Sequence, residues 1–372
     1  MKRLSLLIKP ASSLCNMRCR YCFYYDIGGH RQTRSYGIMN SRTMKRIIGN
    51  VYKDLDGRDE VTFAFQGGEP SLAGLDWFRE FTETAASHTN LRGKDVKVHY
   101  ALQTNGLLID DPWASFLKEH DFLVGLSIDG GKKFHDKNRP GAAGEGTFDL
   151  CIQSKKLLEK YKVEYNILCV LTNELAAEPD KVWRFIKEEK ISFIQFIPCL
   201  EGLDEQNAPA FALRPAKFAS FYSRLYYRWM EELENGSYIS VKLFDDTANF
   251  FFRGLPAACG IDGRCHPQYV VEADGSTYPC DFYVLDNYNT GNLKDHTLRE
   301  LFDTGTMRAF LEERRELPEL CLSCAYLKMC NGGCKRMRTV MYYGAGGTVC
   351  GYKTFLDKCL KPLGYTVRKH FS

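Results

Sequence analysis

"SSLCNMRCRYCFYYD", residues 12–26, places Cys15, Cys19 and Cys22 within eight residues, spaced Cys-x3-Cys-x2-Cys. Four thiolates normally complete a tetrahedral zinc site or a cubane iron–sulfur cluster. Three thiolates on a four-iron cluster leave one iron open to an outside chelate. The stretch follows "LSLLI" (4–8), an apolar run ended by Lys9-Pro10, which reads as a buried first strand. Loops that follow strands are where α/β folds place their chemistry. The structural alternative is a zinc site of three cysteines completed by a distant histidine, His30 or His266.

Outward from this loop the chain alternates strands and helices. Strands are expected at 4–8, 61–65, 96–102, 122–128, 163–171 and 193–197, runs rich in Val, Ile and Phe of the kind that parallel sheets bury. Helical periodicity fills 41–55, 74–87, 111–120, 147–160, 179–189 and about 215–235. In the first of these Met44, Ile47, Ile48, Val51 and Leu55 share a face, with Asn40 or Ser41 as the cap. Six strands alternating with helices imply a parallel α/β sheet or partial barrel.

The chain has 372 residues, 44% of them hydrophobic and 26% charged, which suits two domains or one large domain with an appendage. A net charge of +4 creates no field for nucleic acid or an anionic membrane, and no apolar run is long enough to span a bilayer. With no export signal at the N-terminus, a cytoplasmic protein is expected. Fifteen cysteines, an odd number in short-spaced groups, argue for metal or cluster ligation over disulfides.

Composition changes near residue 236. Residues 255–350 hold eight of the fifteen cysteines, few long apolar runs and a hairpin signal at Asp274-Gly275. A thin core of this kind needs metal staples. Two zinc sites of four cysteines each would serve as well as two clusters. Cys151, Cys169, Cys199 and Cys359 are left over; Cys169 lies inside a strand and reads as core.

The cysteine loop, with Tyr21 before its last cysteine, resembles the radical SAM superfamily. The resemblance implies a partial (β/α)6 barrel over 1–235 and S-adenosyl-L-methionine on the open iron, cleaved to a 5′-deoxyadenosyl radical. "FQGGEP" (65–70), "LQTNG" (102–106), "GLSIDG" (125–130), "KNRP" (137–140) and "FIPCLEG" (196–202) match the same family. Carried over, Tyr21, Gly68, Ser127, Arg139 and Leu200 become candidate cofactor contacts: Gly68 for close backbone approach, Arg139 for a carboxylate. "CLSCAYLKMCNGGC" (321–334) with Cys265 and Cys280 resembles the SPASM domain, here 236–372. That resemblance assigns Cys259, Cys265, Cys280 and Cys334 to a nearer auxiliary cluster, and Cys321, Cys324, Cys330 and Cys350 to a farther one. Three 4Fe-4S clusters are thereby expected.

"SLLIKPASS", "YGIM", "LQTNG" and "VVEADGSTYPCDFYVLD" narrow the resemblance to the anaerobic sulfatase-maturating enzymes, from residue 4 to about 356. These oxidise a cysteine or serine of a nascent sulfatase to Cα-formylglycine without oxygen. The expected partners are an unfolded sulfatase segment carrying Cys/Ser-x-Pro-x-Arg and an electron donor such as flavodoxin or ferredoxin, with the enzyme a monomer. Hydrogen abstraction from an unactivated Cβ needs a radical that side chains do not supply. The product radical then loses an electron, which a two-cluster relay accounts for, and the thiol or hydroxyl loses a proton, which needs a base. The family places that base at Asp281, beside cluster ligand Cys280. Tyr24 and Gln66 are candidate substrate-binding groups at the cofactor mouth. Two other readings stay open: a SPASM enzyme that crosslinks a ribosomal peptide, and a zinc-stapled protein that binds peptides without turning them over.

Overall fold

The computed structural model describes residues 2–91, 95–203, 209–254, 258–313, 316–344 and 347–370. Ten strands are found among them: β1 (Arg3–Ile8), β2 (Glu60–Phe65), β3 (Lys97–Thr104), β4 (Leu123–Ser127), β5 (Tyr165–Leu171), β6 (Phe193–Pro198), β7 (Ser240–Val241), β8 (Val270–Val271), β9 (Ser276–Tyr278) and β10 (Gly291–Asn292). The first six lie where the apolar runs predict them. The α/β class is borne out.

The chain divides into two compact units. The first comprises 1–127, 139–165 and 267–313. Its strands run in the order β10-β9-β8-β1-β2-β3-β4, an open sheet. β1 to β4 and β8 are parallel, and β9 and β10 are antiparallel additions. β2 alternates buried Val61, Phe63 and Phe65 with half-buried neighbours, the pattern of a central strand covered on one face more than the other. Helices Ser41–Lys53 and Leu75–Leu91 follow β1 and β2. Asn40, not Ser41, caps the former, accepting the Thr43 N–H at 2.9 Å. Phe65 meets Trp77, Phe78, Phe81 and Phe122 at ring-centroid distances of 4.9–6.2 Å, mostly edge to face.

The second unit comprises 128–138, 166–266 and 314–372. β5, β6 and β7 are parallel within it. Its helices Pro215–Glu234 and Gly351–His370 pack on each other, with Tyr352, Phe355, Leu356, Cys359 and Leu363 of the latter buried. That C-terminal helix, which has Pro362 inside it, lies beyond the expected helices.

The units do not follow a single cut at 235/236. β8 pairs with β1, Leu7 opposite Val270 and Ile8 opposite Val271, so residues 267–313 pack with the N-terminal strands. The Asp274-Gly275 hairpin forms as expected: Gly275 has φ +92°, and Glu272 N–H donates to Ser276 O at 2.9 Å. None of the described helices is long and apolar enough to cross a membrane.

Replacing Phe65 by Ala removes the centre of the aromatic cluster. The expected loss is about 3–5 kcal/mol of unfolding free energy, read as a lowered urea midpoint at unchanged slope.

Candidate active site

The chain leaves β1 at Ile8 and turns through Ser12, whose φ of +49° is left-handed, into the cysteine loop. Met17 N–H reaches Cys15 Sγ at 3.4 Å, and Cys22 N–H donates to Cys19 O at 3.2 Å before helix Phe23–Gly29 begins. Two other segments wall the loop. On one side Gly68 N–H donates to Ser12 O (2.8 Å) and Glu69 N–H to Leu14 O (2.7 Å). On the other, Arg18 N–H donates to Pro140 O (2.9 Å), and Met17 bridges to Gly141. Glycine at 68 also has a reason within the chain, beside the expected one. A Cβ there would stand 2.0 Å from the Leu14 carbonyl oxygen, so the close approach is to the cysteine loop itself.

Glu69, fully buried, is the post of this wall. Its carboxylate accepts from the Ser71 N–H and hydroxyl, the Thr104 hydroxyl and the Asn105 N–H at 2.7–3.1 Å. Burial pushes the carboxyl above its usual range, against the pull of those donors. Asn105, thus held, donates to Asn16 Oδ1 at 2.8 Å and points its amide at Cys15 Sγ, 3.9 Å away. Burial pushes the Cys15 thiol up to about 11; the Met17 N–H opposes this, while Glu69 and Cys22 add to it. Arg139 and Tyr21, both carried over from the family, come together: the guanidinium lies 5.5 Å from the ring centroid. Ser127 is buried at the end of β4. His30, a conceivable zinc ligand, turns its Nδ1 to Asp26 O at 2.8 Å.

Asp281 sits in the first unit with the cysteine loop, opening the short turn Asp281–Tyr283 after Cys280. Its backbone N–H donates to Gln268 Oε1 at 2.9 Å. Its side chain is gripped at both oxygens, Oδ1 by Lys9 Nζ and Oδ2 by the Gln66 amide, each at 2.5 Å. Tyr24, 2% exposed, gives its hydroxyl to Glu272, which also pairs with Arg31 at 2.6 Å. Burial first, then the Glu272 carboxylate, keep the Tyr24 phenol protonated far above its ordinary range. Lys9 Nζ lies 3.7 Å from the centroid of the Tyr24 ring, so Asp281, Gln66 and Tyr24, predicted separately, come together around Lys9. Lys9, Glu272, Arg31, Glu69 and Asn105 were missed. Lys9 in particular reads in sequence only as the residue that ends a strand.

In the second unit, Cys321, Cys324, Cys330 and Cys350 line one small cavity together with Tyr326, Tyr342 and Tyr352. Burial pushes the Cys321 thiol up to about 11, and Cys350, Cys330 and Cys324 raise it further. Cys259 is pushed up to about 11 by burial, then by Cys334 and Cys265. Gly260 (φ +71°) leaves room for Cys334, whose Cβ lies 2.7 Å from where a Gly260 Cβ would be. Leu200 is buried after β6, beside Cys199. The thiols thus gather in groups wide enough to influence one another. Among the described residues no three His, Cys, Asp or Glu side chains converge on a position for a single metal ion.

Comparison with known proteins fits this arrangement. Residues 10–186 match the radical SAM superfamily, and 264–325 match an iron–sulfur cluster-binding domain, SPASM. The chain is 44% identical over 339 residues to the cysteine-type anaerobic sulfatase-maturating enzyme of Clostridium perfringens (strain 13), covering 91% of this chain and 90% of that enzyme. It is 38% identical to the corresponding Clostridium novyi enzyme, over 99% and 98% of the two chains. The serine-type enzyme of Bacteroides thetaiotaomicron is 28% identical, over 91% and 84%. Among solved structures, native anSMEcpe with bound AdoMet and Kp18Cys peptide superposes with a TM-score of 0.89 at 40% identity, over 99% of each chain. A non-catalytic, zinc-stapled binding protein does not fit such relatives. This degree of likeness, over nearly the whole of each chain, makes the chain a member of the anaerobic sulfatase-maturating enzymes of the radical SAM superfamily.

Proposed function

We propose that this enzyme converts a cysteine in an unfolded sulfatase segment of the Cys-x-Pro-x-Arg type into Cα-formylglycine. Cysteine is preferred here to serine because likeness to the cysteine-type enzymes, 38–44%, exceeds the 28% to the serine-type. The observation that carries the reading is the Asp281 carboxylate, buried and aimed by two donors, in the unit that holds the three-cysteine loop.

The donor sets suit the implied cofactors. Cys15, Cys19 and Cys22 offer three soft thiolates on a preshaped loop, and Cys321, Cys324, Cys330 and Cys350 offer four around one cavity. By family resemblance Cys259, Cys265, Cys280 and Cys334 hold the remaining cluster, for three in all. Tyr21, Gly68, Ser127, Arg139 and Leu200 surround adenosylmethionine in the same reading, with Gly68 acting by letting its turn lie against the cysteine loop. The division at 235/236 is then one of cofactor duties: the radical cluster before it, the auxiliary clusters after it. A flavodoxin or ferredoxin as donor, a monomeric state and a cytoplasmic site complete the proposal; cysteines of this density are kept reduced there.

When bound, the reduced cluster and adenosylmethionine supply a primary-carbon radical that takes one hydrogen atom from the substrate Cβ. The substrate must then give up its thiol proton and one electron, which the auxiliary clusters would accept, becoming a thioaldehyde. Water converts the thioaldehyde to the aldehyde and releases hydrogen sulfide. Asp281 takes the proton as general base. Its burial keeps bulk water from competing for the carboxylate. Tyr24 and Gln66 flank that carboxylate's surroundings and orient the incoming peptide. Tyr24 stays a neutral hydrogen-bonding group, since its phenol does not ionise near neutral pH.

Three variants test this. Cys22→Ala should abolish 5′-deoxyadenosine formation in the anaerobically reconstituted enzyme; retained cleavage contradicts the cluster assignment. Asp281→Asn should keep cofactor cleavage while lowering formylglycine roughly 10²–10⁴-fold, the span of a lost general base, as read by hydrazide capture and mass spectrometry. Parental product would place the base elsewhere, and a crosslinked peptide without a carbonyl would point to a different SPASM chemistry. Gly68→Ala should cost about 1–3 kcal/mol or more through overpacking against Leu14 and reduce bound iron by the content of one cluster.

A further inference from the structure

The Lys9 side chain is wholly enclosed. Its stem runs past Gly67, where a Cβ would lie 3.1 Å from Lys9 Cγ and 3.2 Å from its Cβ; φ of +140° also favours glycine there. Its Nζ stands 2.5 Å from Asp281 Oδ1 and 3.7 Å from the centroid of the Tyr24 ring. Tyr24 is itself fixed by Glu272 and, through Glu272, by Arg31. Packing against Gly67 and Tyr24 therefore aims one cation at one carboxylate oxygen.

Stability is a poor reason for this pair. Desolvating two charges offsets most of their attraction, and an apolar side chain of similar length would fill the same slot. An apolar side chain could not hold Oδ1 in one direction. The two oxygens also differ in what holds them. Oδ1 has a fully buried cation, whereas Oδ2 has a neutral, part-buried amide from Gln66 at 2.5 Å. The neutral contact is the weaker and more readily exchanged of the two.

We infer that Lys9 is the positioning residue of the proton-transfer step. It clamps Oδ1 so that Oδ2 meets the substrate, and Gln66 yields Oδ2 when the thiol arrives. In that step the S–H bond breaks, an O–H bond forms on Oδ2, the bonding pair stays on sulfur and the ammonium keeps its protons. The inference rests on Asp281 being the base.

The test uses the full, cluster-loaded chain and a Cys-x-Pro-x-Arg peptide deuterated at the target Cβ. In Lys9→Met, iron content and deuterium transfer into 5′-deoxyadenosine are expected to stay within about twofold of the parent. Formylglycine per deuterium transferred should fall roughly 10²-fold, the effect of a misplaced reacting group. In an Asp281→Asn background the same substitution should change formylglycine by less than about twofold, because the two residues act as one unit. Parental formylglycine in Lys9→Met overturns the inference, as does a parallel loss of deuterium transfer and product. If Lys9→Met binds less iron, Lys9→Gln, which keeps a donor and most of the stem, is judged by the same two readouts. Iron loss in both variants would make Lys9 a residue of cluster assembly and overturn the proposal. Asp281→Asn separates the two levels. Parental product there defeats the base assignment itself, whereas an inactive Asp281→Asn beside an active Lys9→Met defeats only the role of Lys9.

Discussion

The register of β1 against both its neighbours is the constraint on which the site depends. Ile8 stands opposite Phe65 of β2 on one side and opposite Val271 of β8 on the other. The next residues along β1 and β2, Lys9 and Gln66, therefore emerge level with each other at the C-terminal rim. Asp281, three residues beyond β9, meets both side chains. Residues 272 positions apart meet with no long loop reaching across. A slip of one residue would turn Lys9 to the opposite face of the sheet and break the constellation, because side-chain direction alternates along a strand.

The cysteine loop obeys a second economy of contacts. Its shape comes from backbone groups: the carbonyls of Ser12 and Leu14 accept from Gly68 and Glu69, and Arg18 donates to Pro140. Of its thiols, Cys15 Sγ adds only the contacts with the Met17 N–H at 3.4 Å and the Asn105 amide at 3.9 Å. The cost falls on Glu69, a buried carboxylate with no ion-pair partner among the described residues, which needs donors from Ser71, Thr104 and Asn105 to be tolerable. By the same contacts it ties the loop after β2 to the loop after β3, so two sequence motifs brace a third.

Three of the buried carboxylates in this unit show how environment divides labour. Glu69 is surrounded by neutral donors and serves as scaffold. Glu272 binds Arg31 and the Tyr24 hydroxyl, and fixes an aromatic ring. Asp281 has a cation on one oxygen and a neutral amide on the other, the asymmetry on which its proposed role as base rests. All three are acidic residues in loops or strand ends; chemistry alone does not tell them apart.

Local sequence determined a good deal of this protein. The apolar runs located six parallel strands to within a few residues, because burial on a sheet writes itself as Val, Ile and Phe. Cys15, Cys19 and Cys22 carried the resemblance to the family because motif spacing is a local property of the chain, and Asp274-Gly275 announced its hairpin because positive φ is local too. Tertiary structure decided the rest. That Gly68 is a glycine for the sake of Leu14, that residues 267–313 join the N-terminal strands, and that Lys9 and Asp281 face each other are facts about residues far apart in sequence. A lysine at the end of a strand looks the same whether it points to solvent or to a buried carboxylate. Only the pairing of β1 with β8, which no periodicity encodes, distinguishes them.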